Sequence, residues 1–81
     1  MKVATVGSRV FVTSFQLAGV QGKIVDSPDT AFEEIKKLYA DSEVGLVLVS
    51  DDLTEAINDK LTKLRAQQST PLVFALPASG S

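Results

Sequence analysis

Val44-Gly45-Leu46-Val47-Leu48-Val49 runs apolar with no polar alternation, and Ser50-Asp51-Asp52 follows it at once. A strand that shows one face to water alternates, whereas one covered by helices on both faces does not. This run therefore reads as the central strand of a parallel sheet. Ser50, Asp51 and Asp52 supply capping oxygens and negative charge where the next helix begins. In that helix Leu53, Ala56, Ile57, Leu61 and Leu64 form the inward stripe, while Glu55, Asp59, Lys60, Lys63 and Arg65 face water. Gln67-Gln68-Ser69-Thr70 ends it, and Pro71 leads into a last strand, Leu72-Val73-Phe74-Ala75-Leu76, before Pro77.

Upstream of the central strand, Ser27-Pro28 marks a helix start: Ser caps orphan amides, and Pro at the first helical position loses no needed hydrogen bond. Ala31, Phe32, Ile35, Leu38 and Tyr39 give that helix one buried stripe. Before it, Gly22 turns the chain into Lys23-Ile24-Val25, a short strand at a sheet edge. The chain opens with a β-branched run over residues 2–6, ended by Gly7. Over residues 9–18, Val10, Phe11, Phe15 and Ala18 fall at helical spacing, with Gly19 placed as a C-terminal cap. Helix is the reading there, although Val10-Phe11-Val12-Thr13 is β-prone.

The pattern is βαβαβαβ, which implies parallel pairing through right-handed crossovers. The expected fold is α/β: an open four-stranded parallel sheet, order 2-1-3-4, with helices on both faces. Such a doubly wound sheet normally covers its last strand with a final helix, and here that C-terminal helix is expected to be absent. Residues 1–77 then form one domain, and residues 78–81 begin a linker to a missing C-terminal segment. The face of the last strand is expected to be partly uncovered, which favours self-association.

With 81 residues the chain has room for one domain, and a chain of this size buries about 60–65% of the surface its unfolded form exposes. It carries eight Lys and Arg against ten Asp and Glu, a net charge of −2 with no basic stripe, so nucleic-acid binding has no electrostatic footprint. It has no Cys and no His, which removes disulfides, Cys/His zinc sites, and thiol or imidazole catalysis. No catalytic, metal or cofactor site is expected. The longest apolar run falls far short of the roughly 20 residues that span a bilayer, and the N-terminus has no signal-peptide pattern.

Three features are candidate sites. Asp51-Asp52 stands where a response-regulator receiver carries its phosphoacceptor, but a receiver also needs an acidic pair after the first strand, and Gly7-Ser8-Arg9 is there instead. Helix capping is the better reading. Gly7-Ser8-Arg9 as a phosphate cradle lacks both G-x-x-x-x-G-K-[ST] and G-x-G-x-x-G, and a tight turn explains Gly7. Arg9 remains a candidate for pairing with a partner's carboxylate. Phe11, Phe15 and Leu17 read as core, except that Phe15 and Leu17 are two apart and cannot share one helix face. One of the three is then available to a partner.

Gly7-Ser8-Arg9-Val10-Phe11-Val12-Thr13-Ser14-Phe15-Gln16-Leu17-Ala18-Gly19-Val20 closely resembles the opening G-D/K-x-x-x-V-T-G-F-R-L-A-G-[VI] of the F subunit from archaeal A-type and vacuolar-type ATP synthases. The central strand and the segment over residues 71–77 resemble that family's corresponding strands, so the likeness covers nearly the whole chain. Ser8, Ser14 and Gln16 depart from the pattern. Gln16 removes a positive charge, and with it any ion pair that the family's Arg makes with a neighbouring subunit.

The resemblance implies a receiver-like (flavodoxin-like) domain in a non-catalytic component of the rotary central stalk. That component binds the D subunit of the stalk, and the catalytic A/B head is a further partner. It couples or regulates ATP synthesis, ATP hydrolysis and ion transport from the cytoplasmic side of the cell membrane, without inserting into it. Ser8, Arg9, Phe15, Gln16 and Leu17 are the candidate partner interface. The competing expectation is a receiver-like phosphotransfer or nucleotide-sensing domain.

Overall fold

The structure is a computed structural model and describes residues 1–77; the linker expected over residues 78–81 lies outside the described residues. Strand β1 (Lys2–Gly7) is followed by α1 (Arg9–Gln16), β2 (Gln21–Ile24), α2 (Pro28–Tyr39), β3 (Val44–Ser50), α3 (Asp51–Ala56), α4 (Asn58–Gln67) and β4 (Leu72–Leu76). The sheet is all parallel in the order β2-β1-β3-β4, as the strand pattern implied.

The register sorts the side chains. In a parallel pair, residues facing each other across the ladder share a sheet face. Ala4 pairs with Val47 and Val47 with Val73, while Val6 pairs with Val49. These rows lie under α2, α3 and α4, where Val6, Val47, Val49 and Val73 join Ala31, Ile35, Tyr39, Ile57 and Leu61 in the core. The opposite face carries Val3, Leu46 and Leu72 in one row and Thr5, Leu48 and Phe74 in the next. A register shift beside Gly45, where Lys2 pairs with Val44 but Val3 with Leu46, lets Val44 join the core despite its odd spacing from Val47.

Helix α1 packs on that second face. Val12 is fully buried and Phe11 nearly so, while Val10 is 59% exposed, so Val12 and not Val10 faces inward. Gly19, just past the helix, has φ +87°, the left-handed conformation expected of a C-terminal cap. Two glycines of the sheet let the helix settle. A Cβ on Gly7 would lie 2.6 Å from the Phe11 ring, and one on Gly22 would meet Thr5 and lie 2.7 Å from Val12 Cγ1. Replacing Gly22 by Ala is expected to cost about 1–3 kcal/mol through overpacking, measured by urea unfolding. An unchanged midpoint would show that α1 is not seated as described.

Helix α2 starts as its sequence indicates, with Ser27 Oγ accepting from the Thr30 amide at 3.2 Å and Pro28 in the first turn. Residues 51–67 do not form the single helix that the periodicity predicts. The chain breaks at Ile57 (φ −119°, ψ 22°), whose buried side chain stays in the core. The break turns Ala56 out to solvent, against the inward place expected for it. At the start of α3, Asp52 Oδ1 accepts from the Leu53 amide at 3.0 Å, whereas the Ser50 side chain makes no cap bond.

Tyr39 is buried among the apolar residues, and its hydroxyl has no hydrogen-bond partner among the described residues. Burial pushes the phenol above its ordinary value, with the Arg65 guanidinium pulling the other way to a lesser degree. Removing an unsatisfied buried hydroxyl relieves its desolvation penalty, so Tyr39→Phe is expected to raise stability by about 1 kcal/mol at neutral pH. A raised folded-state value favours the neutral phenol, so its contribution is present below the unfolded value near 10 and is lost as pH rises through the folded one. Tyr39→Phe is therefore also expected to flatten the fall of stability at alkaline pH. A loss of about 1 kcal/mol or more on denaturant titration would contradict this.

Candidate functional site

Alternation on β4 sends Leu72, Phe74 and Leu76 to the face opposite the core, in register with Leu46, Leu48 and Ser50 of β3. Helix α1 rests on β1 and β2, and among the described residues no helix covers β3 and β4 on this side. Leu72 is 55% and Phe74 53% exposed, beside the half-buried Leu46, Leu48 and Leu76. A contiguous apolar sheet face of this kind is the usual mark of an interaction surface. The uncovered last strand expected from the sequence is present in the described residues.

The five candidate interface residues spread over α1 and its ends. Ser8 caps the helix, its Oγ accepting from the Phe11 amide at 3.3 Å. Arg9 is exposed and has no ion-pair partner among the described residues; it shares a shallow groove on the outer side of α1 with Val10, Thr13, Ser14 and Leu17. Leu17 is 87% exposed. Phe15 is half-buried on the inner side, its ring 5.3 Å from that of Phe11 and tilted 57° to it. Gln16 is exposed at the helix end. The structure thus joins Arg9 and Leu17 in one groove and separates Phe15 from them. All five lie on α1 or at its ends, on the same side of the sheet as the open face.

The other sequence candidates have local explanations. The Gly7 turn is accounted for by the Phe11 ring, and the Ser8 hydroxyl is spent on the cap. At Asp51-Asp52, Asp52 Oδ1 accepts from the first-turn Leu53 amide at 3.0 Å, Thr54 Oγ1 donates to the Asp51 backbone carbonyl at 2.9 Å, and no side chain makes the N-cap bond of α3 that the sequence suggested. Among the described residues no three His, Cys, Asp or Glu side chains come together to hold a metal ion. The arrangement is suited to holding a protein partner through apolar contact, with the Arg9 guanidinium, which has no ion-pair partner among the described residues, on the same side of the sheet. The sequence pattern directs attention to α1 and does not disclose that Leu46, Leu48, Leu72 and Phe74 form one surface. The unalternating strands carry no sign of which side is open.

The sequence profile of the family described as ATP synthase (F/14-kDa) subunit matches residues 3–81. The F subunit of the A-type ATP synthase of Methanosarcina mazei is 32% identical over 83 residues, an alignment that covers 100% of this chain and 81% of the relative. That of Methanothermobacter thermautotrophicus is 29% identical over 76 residues, covering 93% and 71%. That of Methanococcoides burtonii is 32% identical over 81 residues, covering 99% and 81%.

Proposed function

We propose, because the chain belongs to the family of ATP synthase (F/14-kDa) subunits, that it is the central-stalk module through which the D subunit is gripped and ATP turnover in the catalytic head is coupled or regulated. The chain is a component of an ATP synthase, without an active site of its own. The observation that carries the finer reading is the open sheet face. Leu72 and Phe74 each leave about half of their surface in water, flanked by Leu46 and Leu48 and lying on the same side of the sheet as Leu17 and Arg9. Burying the remaining apolar surface of two such side chains contributes roughly 1 kcal/mol each. That suffices for a hot-spot pair when polar contacts surround it.

No helix among the described residues is long and apolar enough to cross a membrane. In the proposed arrangement the chain sits at the cytoplasmic side of the cell membrane and reaches the membrane sector through other components of the synthase. Calorimetric titration with the cognate D subunit tests the reading. Saturable one-to-one binding supports it, and absence of any complex at both low and high salt would overturn it.

A further inference from the structure

The opposite side of the molecule carries a different surface. Helices α2 and α4 meet there over a cleft floored by Phe32 and Leu64, both half-buried, and rimmed by Lys36, Lys60, Lys63 and Gln67. The ammonium of Lys36 lies 5.3 Å from the centre of the Phe32 ring and that of Lys60 5.4 Å, so the ring gathers two cations beside it. Lys36 also touches Glu33 at 3.0 Å, and Lys60 touches Asp29 at 3.7 Å. Both pairs are exposed at the surface, where ion pairs contribute little and exchange readily for a better partner. Lys63 makes no ion pair among the described residues.

A chain with net charge −2 thus concentrates three of its eight basic residues around one apolar floor. We propose that this cleft docks an acidic segment of another synthase component, one that seats an apolar side chain on Phe32 and Leu64 and sets carboxylates against Lys36, Lys60 and Lys63. A polynucleotide fits less well, because the rest of the chain offers no continuing basic track for its phosphates. The surface lies across the sheet from the open apolar face, so this contact is separate from the one proposed for the D subunit. Its expected character is electrostatic, affecting association rate and salt dependence more than residence time.

The test is zero-length carbodiimide cross-linking of the purified, assembled ATP synthase, followed by peptide mass spectrometry. The expected result is that Lys60 and Lys63 join Asp or Glu residues clustered in one segment of a neighbouring component. The yield should fall about 10-fold at high salt, and a synthase assembled with Lys36→Gln, Lys60→Gln and Lys63→Gln together, which has no amine to couple there, is the blank that identifies these joins. Joins only to Asp29 and Glu33 of the same chain would overturn the proposal. So would joins between two copies of the chain, joins to isolated carboxylates with no salt dependence, or retention of the wild type on a single-stranded oligonucleotide that the triple variant loses. Calorimetric titration of the isolated chain with the D subunit reads the sheet face, whereas the identity of the cross-linked residues in the assembled synthase reads the cleft, so failure of one reading is distinguishable from failure of the other.

Discussion

Phe74→Thr is expected to weaken binding to the D subunit by about 30-fold while the isolated domain keeps its fold. Phe74 is 53% exposed on the open face, and the row beside it, Thr5 and Leu48, is already held by the sheet. Truncating a central aromatic anchor typically costs about 2 kcal/mol of binding, which is about 30-fold in affinity. Thr keeps the β preference of the strand, so the edge pairing with β3 is retained. The same change should reduce any self-association of the isolated domain through this face. An affinity within about twofold of wild type would mean that β4 is not part of the contact.

On the other side of the sheet, Ile35→Ala is the change expected to cost the fold most. Ile35 is fully buried in the middle of α2 and belongs to the core with Val47, Val49 and Leu61. The substitution deletes most of the side chain where rigid strand backbone limits collapse, an expected cost of about 2–5 kcal/mol. A domain of 81 residues has total stability on the order of 4–12 kcal/mol. The variant should therefore lose a large part of that margin, with a melting temperature lower by roughly 10–25 °C. A drop of less than about 5 °C would show that the core repacks around the site.

Much of the fold was legible because its signals are local or follow from chain direction. Ser27-Pro28 fixes the start of α2 by capping chemistry, and the unalternating Val44–Ser50 run marks a central parallel strand, although helices cover only one of its faces among the described residues, against the cover on both faces that the run suggested. Parallel crossovers then leave few strand orders. What was illegible depends on tertiary packing. The break at Ile57 has neither Gly nor Pro to announce it, since a single residue leaves helical geometry to keep its side chain in the core. Val10 and Val12 are equivalent to a periodicity argument, and only the space above Gly22 decides that Val12 turns inward. The shift beside Gly45 inverts the face assignment between Val44 and Val47, so counting alone could not say which leucines would be open. The lysine cleft draws on α2 and α4, remote in sequence and brought together by the core beneath them and by contacts of Lys60 with Asp29 and Phe32.

Whether the open sheet face is the gripping surface is decided by amide hydrogen exchange of the chain, alone and in complex with the D subunit. Exchange should slow in β4 and in the residues 15–20 that close α1, with the outer sides of α2 and α4 unchanged. Protection confined to α2 and α4, or none anywhere despite a saturating concentration of the D subunit, would contradict that assignment.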